Sequence, residues 1–159
     1  MRRPDSPSAS PFRVLSPIHQ AHRQASLHID ALLVDMGVSS QEGQLLAFVA
    51  ARDGVPVTAV VRLLGVSKST ITSLLQRLER ARLIRRGANP QDARSTLLCA
   101  TAKGTRIGAA ARERVLALER QIQRRLSESD LRALTRIVEA VTAETGINLP
   151  AEAPRRRLR

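Results

Sequence analysis

The sequence predicts a mainly α fold with one small β-hairpin, in the order four helices, hairpin, two helices. Three observations lead there. First, the 159-residue chain has no Trp or Tyr and only two Phe, Phe12 and Phe48. Its core must therefore be built from Leu, Ile, Val and Ala, which suits packed helices. Second, two short amphipathic stretches meet at a tight turn, and a strand–turn–strand pattern follows at once. Third, the net charge of +12 is localised. Between residues 58 and 106 ten cations (Arg62, Lys68, Arg77, Arg80, Arg82, Arg85, Arg86, Arg94, Lys103 and Arg106) face only Glu79 and Asp92, a surplus of +8. Residues 1–11 contribute +1 and residues 150–159 contribute +3, so the remainder sums to zero.

Each element has a local cause. Ser16-Pro17 reads as an N-cap and first helical residue. Ile18, Ala25, Ile29, Leu32, Leu33 and Met36 then recur at helical spacing up to Gly37. Ser39-Ser40-Gln41-Glu42 is a capping box that opens a second helix through Leu45, Leu46, Phe48 and Val49. Gly54 and Pro56 end it. Thr58 caps a short third helix containing Val60, Val61, Leu63 and Leu64, closed by Gly65. Ser67 caps a fourth, in which Ile71, Leu74, Leu75 and Leu78 face inward. Leu83-Ile84-Arg85-Arg86 and Ser95 to Ala100 are two strands joined by the turn residues Gly87 to Asp92. Thr101 opens a long fifth helix with Ile107, Ala111, Val115, Leu118, Ile122 and Leu126 in one stripe. Ser127-Glu128-Ser129-Asp130 recaps the chain. A sixth helix follows through Leu131, Leu134, Val138 and Val141 to Gly146.

Two short helices, a tight turn and a basic hairpin spell a winged helix-turn-helix, spanning about residues 40–104. The flanking helices, about 12–36 and 102–146, carry apolar stripes with no globular body to cover them. In a chain this small the simplest cover is a second copy, which makes a homodimer. The Pro-, Ser- and Arg-rich ends, 1–11 and 150–159, read as disordered tails around a single domain at 12–149.

Residues 57–104 resemble the MarR family of bacterial transcriptional regulators. The resemblance rests on Leu64-Gly65, the Ser-rich helix from Ser67 to Arg80, Leu78-Glu79 with Leu83-Ile84, Asp92-Ala93-Arg94 in the turn, and Thr101-Ala102-Lys103-Gly104. Ala81 stands where the family usually has Gly, Ala100 replaces a usual Leu, and Ser73 stands where many members have Arg. The resemblance implies a dimeric, sequence-specific DNA-binding regulator. It would act as a repressor on a pseudo-palindromic operator, released by a small-molecule effector.

The residues say how such binding would work. A major groove about 12 Å wide admits a helix bearing small polar side chains. Lys68, Ser69, Thr70, Thr72, Ser73, Gln76, Arg77 and Arg80 form the outward face of the fourth helix, and Arg86 lies on the first strand of the hairpin. Gln76 suits adenine, and Arg77 suits guanine or phosphate. Arg94 is the wing residue that would enter the minor groove, where negative potential concentrates. Asp92 would orient it by a charge-assisted hydrogen bond, a part that the resemblance also implies.

Other signals weigh less. His19 and His22, one helical turn apart, are candidate effector contacts. They lack a third ligand for a metal, so neither metal nor cofactor is expected. Cys99, the only cysteine, sits in an apolar strand and reads as a packed thiol. There is no Gly-rich phosphate loop and no nucleophile elbow, so the chain is not expected to be an enzyme. No apolar run is long enough to span a membrane, no secretory leader is visible, and a lone cysteine fits a cytoplasmic, nucleoid-associated protein. The alternative reading is a nonspecific architectural DNA-binding protein, whose affinity would fall with salt on every sequence alike.

Overall fold

The computed structural model describes residues 11–89 and 96–146. The expected tails, apart from Pro11, lie outside the described residues, as do Asp92 and Arg94. Among the described residues eight elements have at least five residues: α1 (Leu15–Leu33), α2 (Ser40–Ala50), α3 (Val57–Leu64), α4 (Lys68–Arg80), β2 (Ile84–Ala88), β3 (Thr96–Ala100), α5 (Ala102–Gln123) and α6 (Glu128–Thr145). A two-residue strand, β1 (Val55–Pro56), precedes α3. The mainly helical, winged helix-turn-helix expectation holds.

Two helix starts differ from the sequence reading. Ser16 is not the cap of α1. Its N–H already donates to the Phe12 carbonyl (3.2 Å), and Val14 occupies the cap position. Pro17 is the third residue of α1, in the first turn, where a missing N–H costs the helix least. Thr58 does not cap α3; Pro56 does, and Val57 is the first helical residue. The cause is β1, which the sequence did not reveal. Val55 pairs with Leu98 and Pro56 with Leu97, so the chain is held extended up to the residue where the helix begins.

The other caps form as expected. Ser39 and Glu42 make a reciprocal capping box on α2, and Ser127 and Asp130 make one on α6. Asp130's carboxyl is held below its ordinary value by hydrogen bonds from Ser127. Gly37 ends a 3₁₀ turn after α1, where φ is +67°.

The core is aliphatic. Leu33, Leu45, Leu46, Val49, Val60, Ile71, Leu75, Leu78 and Leu98 are almost fully enclosed. Phe48 is half-buried, with the Arg52 guanidinium 3.8 Å above its ring. Helices α2 and α5 cross closely over small residues. A Cβ on Gly108 would lie 2.8 Å from the Leu46 carbonyl, and one on Gly43 would lie 3.4 Å from Ala111 Cβ of α5 and 2.7 Å from Leu33 Cδ1 of α1. Arg114 of α5 clamps the end of α1. Its Nη2 donates to Asp35 Oδ2 at 2.7 Å, and its Nη1 donates to Asp35 Oδ1 and to the Leu32 carbonyl. That hydrogen-bonded pair lowers the Asp35 pKa and raises that of Arg114.

The sheet order is β1-β3-β2, antiparallel throughout. Ile84 pairs with Ala100 and Ala88 with Thr96, so Gly87 and Ala88, expected in the turn, extend the strand. The stripe of α5 leaves the core gradually: Ala111 is buried, Val115 and Leu118 are half-buried, and Ile122 is exposed. No residue of α6 is buried. Leu27 of α1, Ile122 of α5, and Leu134, Ile137 and Val138 of α6 are 41–64% exposed. Among the described residues no helix is long and apolar enough to cross a membrane.

Candidate nucleic-acid interface

The site begins with a turn. Gly65 adopts φ +61°, ends α3 through its N–H on Val61, and lets the chain reverse. Ser67 then caps α4, its Oγ accepting from the Thr70 N–H at 3.2 Å. The same Oγ lies 2.9 Å from Ser69 Oγ and 2.8 Å from Thr70 Oγ1, so three hydroxyls cluster at the start of the helix. Ile71, Leu74, Leu75 and Leu78 bury one side of α4. That burial fixes which side faces out: Ser69, Thr70, Thr72, Ser73, Gln76, Arg77 and Arg80 are all exposed. Lys68 is the first residue of the helix. The helix is about 20 Å long at 1.5 Å per residue.

The side chains on this face are not equivalent. Arg77 Nη2 lies 3.0 Å from Glu42 Oε1, across the gap to α2. Arg86 Nε lies 2.6 Å from Glu79 Oε1, which ties β2 to the end of α4. Two cations expected to meet DNA are thus engaged with carboxylates of the same chain. Among the described residues no carboxylate pairs with Arg80. Arg62 and Arg85 are also exposed, and the sequence reading did not place them in the site. Glu42 and Glu79 were missed as partners. A charge count alone does not locate such pairs, because Glu42 lies 35 positions before Arg77.

Beside the helix a groove of about 280 Å³ is lined by Val57, Thr58, Val61, Ile71, Thr72, Leu75 and Arg86. Its lining is mainly aliphatic, with the hydroxyls of Thr58 and Thr72 and the guanidinium of Arg86 as its polar groups.

The turn from α4 into the wing is unusual. The left-handed residue is Arg82, at φ +55°, and Ala81 is right-handed. The position that favours Gly is therefore 82 and not 81, which corrects the sequence alignment by one residue. The turn is locked to the start of α5. Thr101 Oγ1 donates to the Arg82 carbonyl at 2.8 Å, and the Thr101 N–H donates to Leu83 at 3.0 Å. Lys103 Nζ reaches the Ala81 carbonyl at 3.5 Å. Gly104 sits so close that a Cβ there would fall 1.8 Å from the Leu83 oxygen.

The remaining candidates lie apart. His19 and His22 are exposed on α1 and do not line the groove beside α4. Among the described residues no group of three or more His, Cys, Asp or Glu is placed to hold a metal. Cys99 is half-buried on β3, opposite Arg85.

A model of the MarR family matches residues 36–95. Its described part runs from the 3₁₀ turn after α1 through α4 and β2. Solved structures share the fold over nearly their whole length. The MepR–DNA complex of S. aureus is 21% identical with a TM-score of 0.70, covering 88% of this chain and 99% of that one. A mutant MarR from E. coli complexed with operator DNA is 17% identical with a TM-score of 0.72, covering 86% and 99%. CouR from Rhodococcus jostii RHA1, bound to p-coumaroyl-CoA, is 20% identical with a TM-score of 0.65, covering 78% and 87%. No curated protein sequence matches the chain.

Proposed function

We propose that the chain is a member of the MarR family, whose model matches residues 36–95, and that it is a dimeric, sequence-specific DNA-binding transcriptional regulator of the cytoplasm. The observation that carries this reading is α4. One side is locked into the core, and the other presents hydroxyls, an amide and guanidinium groups within a segment of net charge +8. Ser69, Thr70, Thr72, Ser73 and Gln76 are the base-reading candidates. Lys68, Arg80 and the wing residue Arg94 supply phosphate and minor-groove contacts, with Asp92 orienting Arg94. Arg77 and Arg86 act first as partners of Glu42 and Glu79.

The exposed aliphatic residues of α1, α5 and α6 support a homodimer. Half-exposed Leu, Ile and Val side chains each gain on the order of 1 kcal/mol when a second copy covers them. Such a dimer would set two copies of α4 about 34 Å apart, one helical turn of DNA. Occupancy of a promoter by this dimer is repression. The groove beside α4, and the acyl-CoA in the CouR structure, support release by a small-molecule effector. The exposed His19 and His22 remain the candidate contacts on α1.

The test is a titration of purified protein onto a duplex from upstream of its own gene and onto random DNA of equal length, at several salt concentrations. A preference of roughly 10³-fold that persists at physiological salt is expected. Equal, salt-labile binding to both would overturn sequence-specific regulation and leave a nonspecific architectural protein.

A further inference from the structure

Arg77 stands on the outward side of α4, yet its guanidinium is drawn to the N-terminus of α2. Glu42 is the residue that draws it. The Glu42 side chain is only 10% exposed, and its two oxygens are shared between the ends of two helices. Oε2 accepts the Ser39 N–H at 2.8 Å, which closes the capping box, and Oε1 meets Arg77 Nη2 at 3.0 Å. A carboxylate so enclosed needs both partners, because an unpaired buried charge is strongly unfavourable. The Arg77 side chain, by contrast, is 60% exposed, and among the described residues the carboxylate that pairs with its charge is that of Glu42. An exposed guanidinium left free on a DNA-facing helix would bind any phosphate it met, adding affinity without sequence information.

We propose that Glu42 is a specificity-determining positioning residue: its carboxylate withholds the Arg77 guanidinium from the phosphate backbone and fixes α4 against α2. This rests on the DNA-binding reading above and deepens it. The α2 capping box, which in the sequence is only a local helix signal, then serves the recognition helix. The polar link continues to α1, since Asp30 Oδ1 accepts the Ser40 N–H at 2.6 Å beside the same cap.

The salt dependence of binding tests this. Each phosphate contact adds about 0.9 to the slope of log K against log salt on duplex DNA. The probe is a random duplex, measured between about 50 and 200 mM salt. Arg77→Gln keeps a donor for Glu42 and removes the charge, and its slope should equal that of the unmodified protein. Glu42→Gln keeps an acceptor for Ser39 and releases Arg77. Its slope should steepen by about 0.9, an extra loss of about 3.5-fold across that salt range. The double variant Glu42→Gln/Arg77→Gln should return to the original slope. If Arg77→Gln alone makes the slope shallower by about 0.9, Arg77 is itself a phosphate clamp and the proposal is overturned. That single variant decides the matter even if Glu42→Gln fails to fold. If Glu42→Gln folds and its slope does not change, the proposal is likewise overturned. Absence of any DNA binding by the unmodified protein overturns the DNA-binding reading, and this inference with it.

Discussion

Replacing Gly104 by Ala sets two effects against each other, and the structure says which wins. Gly104 lies in the first turn of α5, where Ala is favoured over Gly by up to about 1 kcal/mol on helix propensity. Against that, the new Cβ would sit 1.8 Å from the Leu83 oxygen and 2.8 Å from the Leu83 carbonyl carbon. Both are backbone atoms, so no side chain can swing aside. Restoring an ordinary contact of about 3.4 Å requires the start of α5 to retreat by roughly 1.5 Å. That retreat breaks the Thr101 N–H bond to Leu83 and the Thr101 hydroxyl bond to Arg82, which are 3.0 and 2.8 Å long. Overpacking costs about 1–3 kcal/mol and each lost hydrogen bond about 1 kcal/mol. After the propensity gain, a net destabilisation of about 2–4 kcal/mol remains. In a chain of this size that lowers the melting temperature by roughly 4–16 °C. The assay is thermal unfolding by circular dichroism at fixed protein concentration, because a dimer's melting temperature depends on it. A variant that melts at or above the unmodified protein would refute the backbone clash and leave helix propensity in control.

Three further outcomes are expected. Arg82→Gly should stabilise the fold by about 0.5–1 kcal/mol, since left-handed strain of about 1–2 kcal/mol outweighs the added chain entropy of Gly. A lower denaturation midpoint would show that Arg82 makes a compensating contact. Asp35, whose pKa is lowered chiefly by its hydrogen bond with Arg114, contributes stability above its ordinary value of 3.8 and loses it as pH falls through the lowered value. Acid should therefore weaken the α1–α5 clamp, and Asp35→Asn should flatten the melting profile between about pH 2 and 5; identical profiles would exclude the pair as the cause. Gln76→Ala should relax discrimination at one base position per half-site by about 1–3 kcal/mol, whereas equal losses on operator and random DNA would remove Gln76 as a reader.

What the sequence made legible was whatever is written in short-range spacing. The inward positions of α4, Ile71, Leu74, Leu75 and Leu78, are buried as their helical period requires. The capping boxes at Ser39 and Ser127 and the closing glycines Gly37 and Gly65 also form where the residue types place them. What stayed hidden depends on long-range pairing. Val55 and Pro56 are too short a run to read as a strand, and only β3 makes them one. Thr58 lost its cap to Pro56 for the same reason. The left-handed residue at 82 was misplaced by one position because no Gly marks it. Gly104 and Gly108 read as ordinary helix residues until the backbones of Leu83 and Leu46 are set beside them.

Charge was legible in the same divided way. The surplus between residues 58 and 106 located the surface, but it overstated how many cations that surface can give to phosphate. Arg77 and Arg86 are each held by a carboxylate, and the two pairs join different elements: α4 to α2, and the wing to α4. Cations that brace the reading head do different work from cations that grip the backbone. On the proposed reading, bracing would hold Ser69, Thr72, Ser73 and Gln76 in one orientation and would add no sequence-independent attraction. If the proposed reading holds, a helix whose face carries Ser73 rather than an arginine, and whose Arg77 is tethered, would depend less on charge and more on the fit of small polar groups to base edges. The locked joint formed by Arg82, Thr101 and Gly104 supports this, because it fixes the wing's root to α5. On the proposed DNA-binding reading, α4 and the root of the wing would be set by internal contacts before DNA arrives, so that part of the ordering cost of binding would be met in folding.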